Sequence, residues 1–369
     1  MKILFSDNTL WGLLNFRGAV IRHFIKLGHD VVIVAPEKEA SQMRTAIPDD
    51  IRLIPVKMDR AKATLLNDVK YFIRILEIYR SEKPDYIFHY TIKPNIYGSI
   101  AAKICGIKST AMMPGLGYAF TGNGLVSRVA RILYKIGLSF TDHLFLLNKD
   151  NYDVVVSRKV CVPKKIVLLD GGEGVDIDTF KFQDNESEKT TFLFIGRILY
   201  DKGYREYVEC ARQIKKEYPG VEFEMLGTLD PSYPNSVKEE ELAADCNSGT
   251  IRHLGFTSDM MAVYARKGLV IVLPSFYGEG LNRSLMEACA SGKPIITTDI
   301  AGCRETVVNG ENGFCIEPKS SSALVSAVKK YLALTDGERK AMSTASRKLA
   351  ERRFDIKNVI KKYEEIVAN

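Results

Sequence analysis

The feature that most limits what this chain can become is an alternation. Short apolar runs rich in β-branched residues recur from the first residues onward, each parted from the next by a stretch of helical length. Strands are expected at Ile3–Ser6, Val31–Ala35, Ile51–Val56, Tyr86–Tyr90, Thr110–Met113, His143–Leu147 and Ile166–Leu169. Helices are expected at Gly18–Leu27, Thr64–Arg80, Ile96–Cys105 and Leu125–Ser139. Strands separated by helices join through right-handed crossovers into a parallel sheet. The pattern then starts afresh, with strands expected at Phe192–Ile195, Phe223–Leu226, Ile251–Leu254, Val270–Leu273 and Ile295–Thr298, and a helix at Tyr204–Tyr218. After Ser320 the chain reads as helix to its end, at Ala323–Leu334, Asp336–Arg352 and Ile356–Val367. The expected fold class is α/β, with two doubly wound domains. The seam falls within Gly171–Thr190, which opens on Gly171-Gly172-Glu173-Gly174 and turns polar through Asp184–Lys189. Two such units place a cleft between the carboxyl ends of their sheets, where these folds bind ligands.

Composition narrows the class further. Of 369 residues 46% are hydrophobic and 26% charged, which suits a soluble, core-forming chain and excludes disorder or a disulfide scaffold. Apolar runs stay far below the roughly 18 residues of a membrane span. Met1–Asp7 meets an acid too soon for a secretory signal, and seven cysteines without paired spacing fit a reducing compartment. The expected location is cytoplasmic, or on a membrane without crossing it. The net charge of +7 is uneven: residues 1–165 carry 25 Lys and Arg against 14 Asp and Glu, the remainder 27 against 31. A basic first half suggests an anionic partner; chance asymmetry between two solvated surfaces is the plainer alternative.

One segment carries most of the chemistry. Leu273-Pro274-Ser275-Phe276-Tyr277-Gly278-Glu279-Gly280-Leu281-Asn282-Arg283 leaves a buried strand, turns through two glycines and enters a helix ended by Ser291-Gly292. Glycines admit a ligand to the backbone, and amides at a helix N-terminus favour phosphate. Glu279 and Glu287 bracket this turn, and a carboxylate is the natural acceptor for vicinal hydroxyls. Spacing alone proves little, because Glu209 and Glu217 are also eight apart in an ordinary amphipathic helix. The strand–glycine turn–helix setting distinguishes the first pair. A second constellation is Gly196-Arg197 with Lys202-Gly203, which puts two cations beyond a strand end; a solvated loop is the alternative for these residues taken alone. Arginine gives paired phosphate contacts and lysine a point charge. Together with the helix start they suit a diphosphate leaving with negative charge.

Other chemistries lack their signatures. Gly115-Leu116-Gly117 has no third glycine for a dinucleotide, Gly292-Lys293-Pro294 is no P-loop, and no G-x-S-x-G is present. The five histidines are scattered, and no Cys/His spacing suggests a metal. Of these, only His89, at a strand end beside Tyr90 and Lys93, is expected near a cleft.

The back half resembles the retaining nucleotide-sugar glycosyltransferases of family 4. The matching features, in order, are Gly196-Arg197 with Lys202-Gly203, Leu226-Gly227, Leu254-Gly255, Leu273-Pro274-Ser275, the Glu279/Glu287 pair, Ala290–Ile296, Thr298-Asp299, Gly302, Glu305, Val307 and Asn312-Gly313. The front half is similar to the branch that builds capsule, O-antigen and lipid-linked glycans, through Asn15-Phe16-Arg17, Tyr90–Gly98, Gly115–Phe120 and the seam loop Gly172–Asp176. The resemblance implies the GT-B fold: two Rossmann-like domains facing a cleft, residues 1–170 taking the acceptor and 171–350 the nucleotide sugar. Residues 351–369 would form a C-terminal helix crossing back to the first domain.

By that resemblance Glu287 would hold the ribose hydroxyls. Glu279 and the amides of Gly280, Leu281 and Asn282 would lie against donor sugar and diphosphate, beside Gly196. Arg197 and Lys202 would neutralise the diphosphate, without metal or other cofactor. Arg17 and Lys93 are candidates for an acceptor diphosphate. Relatives carry a histidine before the Gly-Leu-Gly stretch where this chain has Pro114, so no histidine is assigned a catalytic role.

The expected reaction moves a hexose or N-acetylhexosamine from a UDP-sugar to a polyprenyl-diphosphate-linked saccharide, with retention of configuration. A UDP-sugar 2-epimerase of the same architecture, or a nucleotide-sugar-binding subunit without turnover, are the alternatives. Nucleic acid is not an expected partner, for want of a recognition motif. An anionic membrane surface is expected, from Arg128, Arg131 and Lys135 on one face of Leu125–Phe140 and from Lys70 and Arg74 within Thr64–Arg80. The protein would then sit on the inner face of the cell membrane. Core-facing helices with solvated basic faces are the competing reading.

Overall fold

The computed structural model describes residues 1–43, 47, 51–58, 65–116, 120, 124–231, 233, 235–278 and 280–368. They form two compact units, residues 1–173 with 357–369, and residues 174–356.

In the first unit the strands are β1 (Lys2–Ser6), β2 (Asp30–Pro36), β3 (Arg52–Val56), β4 (Tyr86–Tyr90), β5 (Lys108–Met113), β6 (His143–Leu146) and β7 (Ile166–Leu168). Among the described residues they make one parallel sheet in the order β3-β2-β1-β4-β5-β6-β7. The winding reverses at β1, and the carboxyl ends of β1 and β4 flank the switch point. In register, Phe5 lies opposite Phe88, and their stacked rings lie 5.3 Å apart. Both are buried between helices, so β4 reads as a continuous apolar run rather than an alternating one. Tyr363, from the last helix Ile356–Ala368, lies 4.8 Å from Phe88 and 4.9 Å from Phe145 and shares a hydroxyl contact with Tyr90 at 3.0 Å. Residues from Lys357 onward thus complete the core of the first unit.

The second unit has β8 (Thr191–Ile195), β9 (Glu222–Leu226), β10 (Arg252–His253), β11 (Leu269–Leu273), β12 (Ile295–Thr298) and β13 (Gly313–Ile316). Their order, β10-β9-β8-β11-β12-β13, repeats the same plan with its switch point between β8 and β11. The polar seam segment is fastened to this unit. Asn185 bonds the Leu269 carbonyl, and the buried Lys293 ammonium reaches both Asn185 Oδ1 and the Arg266 carbonyl at 2.8 Å. The two chain crossings are laddered together inside the unit, Val175 N–H to the Phe354 carbonyl and Ile356 N–H to the Val175 carbonyl.

Several elements differ from expectation, the first helix and the last strand among them. The helix expected at Gly18–Leu27 runs Leu10–Lys26. Thr9 caps it, and the Glu39 carboxylate, from a separate short helix Glu37–Gln42, accepts from the Thr9 hydroxyl and the Leu10 and Trp11 amides. β13 was not expected at all, because its four residues open on glycine and only pairing with β12 identifies them. Among the described residues no helix is long and apolar enough to cross a membrane.

Candidate active site

The second unit brings its sequence candidates to the β8/β11 switch point. Gly196 and Arg197 leave β8, the Gly196 amide donating to the Leu226 carbonyl at 3.0 Å. Lys202 sits in a tight turn, Tyr200–Lys202, closed by Gly203 in the left-handed region at φ +85°. A side chain on Gly203 would collide with the Pro274 carbonyl, so glycine is what lets this turn press against the exit of β11. Burial, with Arg197 beside it, pushes the Lys202 ammonium down to about 8. Its Nζ lies 5.1 Å from the centre of the Tyr277 ring; the Arg197 guanidinium lies 6.0 Å from that ring and 5.0 Å from Tyr233. Arg197 also meets Asp230 at 3.1 Å. Lys319 stands over the adjacent Phe276 ring at 4.8 Å. The structure brings the two cations to one ring, while Tyr233, Tyr277 and Lys319 are not among the residues the sequence singled out. An aromatic beside a glycine turn gives no signal until its neighbours are known.

The helix that follows, Arg283–Ala290, starts beside the end of β8, its Ser284 hydroxyl donating to the Ile195 carbonyl at 3.5 Å. Asn282 is its N-cap, and Gly280 and Leu281 are buried in the turn before it. One expectation needs correcting. The Asn282 amide is not directed to a ligand, since it donates to the Gly302 carbonyl at 2.9 Å, and the Asn282 side chain holds the Leu285 amide at 3.2 Å. Glu287 is buried and accepts from Arg283 Nε at 2.7 Å; burial raises its carboxyl above the ordinary value against the lowering pull of Arg283. Arg283 in turn donates to the Gly174 carbonyl at 3.2 Å. Glu279 lies outside the described residues. The comparison pair is a solvated face: Glu209 pairs with Arg212 and Gln213, and Glu217 with Lys329.

At the first unit's switch point the charges close on one another. Arg17 is 3% exposed and forms ion pairs with Asp7 at 3.7 Å and with Glu173, with its guanidinium 4.5 Å from the Tyr90 ring. Its charge therefore turns inward to two carboxylates rather than outward. Burial, eased by Arg17, still lifts Asp7 to about 6. Lys93 pairs with Asp68 at 3.0 Å and lines a cavity of about 700 Å³ with Lys38, Lys57, Lys70 and Tyr71. His89 lies in the core rather than near a cleft: it is fully buried, bonds the Tyr79 hydroxyl at 2.9 Å, and is held neutral by burial, down to about 3.

Helix Leu125–Phe140 presents Leu125, Val129, Ile132, Ile136 and Phe140 to the exterior, with Arg128 and Lys135 beside them, while Tyr134, Gly137 and Leu138 face inward. A side chain at Gly137 would stand 2.6 Å from Ile96 Cα, so the helix is seated backbone to backbone with its apolar stripe outward. Helix Leu65–Glu82 likewise exposes Leu66, Val69 and Ile73 beside Lys70 and Arg74. Both helices also turn a face to the core, through Tyr71, Ile75, Ile78 and Tyr79 in one and Tyr134 and Leu138 in the other, so each carries buried apolar residues on one side and exposed apolar and basic residues on the other.

Comparisons with known proteins accord with this anatomy. Residues 176–349 match the family model described as glycosyl transferases group 1, and residues 2–158 the one described as glycosyl transferase 4-like. The chain is 26% identical to the N,N'-diacetylbacillosaminyl-diphospho-undecaprenol alpha-1,3-N-acetylgalactosaminyltransferase of Campylobacter jejuni, over 88% of this chain and 87% of that one. It is 27% identical to the capsular polysaccharide biosynthesis glycosyltransferase CapM of Staphylococcus aureus, over 89% and 87%. Among solved structures, a glycosyltransferase from Rickettsia africae superimposes with a TM-score of 0.79 at 21% identity, covering 99% of this chain and 97% of that one. Anabaena Alr3699/HepE, solved in complex with UDP, superimposes with a TM-score of 0.78 at 16% identity over the whole of both chains. Two parallel α/β sheets, with family matches on both halves, make this chain a glycosyltransferase of the group 1, family 4-like family with the GT-B fold.

Proposed function

We propose that the protein transfers a hexose or N-acetylhexosamine from a UDP-sugar to a saccharide linked to a polyprenyl diphosphate, with retention of configuration. The observation that carries the donor side is the convergence of Arg197 and Lys202 at the β8 edge, beside the start of helix Arg283–Ala290. The acceptor hydroxyl attacks the anomeric carbon from the face the nucleotide leaves. The bond from that carbon to the β-phosphate oxygen breaks, and the departing phosphate takes the acceptor's proton. Negative charge grows on the diphosphate through this step, so two fixed cations stabilise the transition state more than the ground state. Glu287 takes the ribose hydroxyls, and Glu279, on the sequence alone, the donor sugar.

On the acceptor side, the relatives from Campylobacter jejuni and Escherichia coli are named for undecaprenyl-diphosphate-linked substrates. In this chain Lys93 and the neighbouring lysines of the 700 Å³ cavity suit such a diphosphate. The exposed stripes of Leu65–Glu82 and Leu125–Phe140, apolar and basic together, suit an anionic bilayer surface on which the acceptor is carried. The test is release of UDP from a panel of UDP-sugars with a short polyprenyl-diphosphate saccharide as acceptor, the anomeric configuration of the product being read by NMR. Absence of UDP release across the panel overturns the donor reading, and an inverted product overturns retention.

A further inference from the structure

We propose that Tyr277 is a positioning residue of the donor site, its ring holding Arg197 and Lys202 together so that both meet one diphosphate. The inference rests on the donor reading above. Two cations brought to one point repel each other, and burial makes the repulsion costlier. An aromatic face relieves this, because its quadrupole attracts positive charge, in addition to the Asp230 carboxylate that meets Arg197 at 3.1 Å. Both cations stand over this ring, Lys202 at 5.1 Å and Arg197 at 6.0 Å. Arg197 also lies 5.0 Å from Tyr233, whose ring meets Tyr277 at 6.1 Å and 62°.

The backbone sets this arrangement before any ligand arrives. Phe276 N–H donates to the Asp201 carbonyl at 2.8 Å, and the Ser275 hydroxyl reaches the same carbonyl at 3.4 Å while accepting from the Tyr277 amide at 3.2 Å. The Asp201 carboxylate accepts from Asn235 at 2.8 Å, which ties in the loop carrying Tyr233. Gly203 closes against Pro274. The turn bearing Lys202, the loop bearing Tyr277 and the loop bearing Tyr233 are therefore one hydrogen-bonded block. The backbone that carries the ring is held by these bonds and not by the ring itself, so changing the ring's electron density need not move it.

That separates an electrostatic role from a space-filling one. In the full-length protein, Tyr277 is replaced by phenylalanine and then by phenylalanines of increasing fluorination, and UDP and uridine are titrated calorimetrically. Phenylalanine should bind UDP within about threefold of the wild type, and affinity should then fall stepwise to about tenfold at pentafluorophenylalanine. Uridine, which lacks the diphosphate, should be indifferent to the series. A flat UDP series in a protein that binds UDP overturns the proposal while the donor reading stands. Equal losses for uridine and UDP overturn it too, assigning the ring to the nucleoside. A wild-type protein that binds no UDP removes the donor reading, and this inference with it.

Discussion

The two units share one strand order, yet their switch points have opposite electrostatics. In the first, Arg17 stands between two carboxylates, Asp7 and Glu173, and stacks on Tyr90. In the second, Arg197 has Asp230 and shares the Tyr277 ring with Lys202. The sheet's topology places both sets of charges at a strand switch point, and the side chains gathered there differ: an arginine held by two carboxylates in the first unit, two cations over one aromatic ring in the second. Arg17 is accordingly expected to stabilise, and Lys202 to act.

The sharpest way to break this contrast is to remove each cation in turn. Lys202→Ala should lower kcat/KM for the UDP-sugar about 1,000-fold, roughly 4 kcal/mol of transition-state stabilisation, with no loss in urea midpoint, since a buried ammonium is removed. Arg17→Met leaves the buried Asp7 carboxylate and the part-buried Glu173 without their shared cation and should cost about 3–5 kcal/mol of unfolding free energy. If the Arg17 variant unfolds like the wild type, or the Lys202 variant turns over normally, the contrast is lost.

A smaller effect separates the two glutamate pairs. Glu287→Gln should weaken UDP binding about tenfold, roughly 1.4 kcal/mol, through loss of a charged acceptor for hydroxyls. Glu209→Gln, on a solvated helix face, should stay within about twofold. Equal effects would show that the strand–turn–helix setting adds nothing to the spacing.

Lys202 also predicts a pH dependence. Burial holds it near 8 in the free protein, and the diphosphate needs its proton. UDP affinity should be level below about pH 8 and fall toward tenfold per unit above it, a slope that Lys202→Ala abolishes. For folding the sign is separate. A lysine depressed below its unfolded value opposes folding at pH below 8, and that penalty is relieved as pH rises from 8 toward the ordinary lysine range. A UDP affinity level to pH 10 would place Lys202 away from the ligand.

A comparable effect is expected at the first unit's surface. Ile132→Glu with Ile136→Glu should reduce sedimentation with phosphatidylglycerol vesicles about tenfold, with turnover of a water-soluble acceptor unaffected. Unchanged sedimentation would refer the stripe to some other partner.

Much of this was legible in the residues. Strand positions could be read almost to the residue, since buried parallel strands are short apolar runs and little else in the chain looks like them. The strand–glycine turn–helix around Gly280 and the pairing of Arg197 with Lys202 could be read for the same reason, being local. Neither the start of the first helix nor β13 could. One depends on Glu39, some 30 residues away, and the other on pairing with β12. His89 misled because a strand end can be either a rim or a floor, and only the Tyr79 hydroxyl and the closeness of Gly98 show that it is floor.

From the order of its residues alone, then, the chain specifies two doubly wound sheets and the glycine turn and helix start that follow β11, because periodicity and turn chemistry act over a few residues. Which charges at those edges stay available was decided by folding. A side chain's ionic partners come from distant parts of the chain, as Glu173 comes to Arg17 and Tyr277 to Lys202, and electrostatic energy depends on distance in space rather than along the sequence.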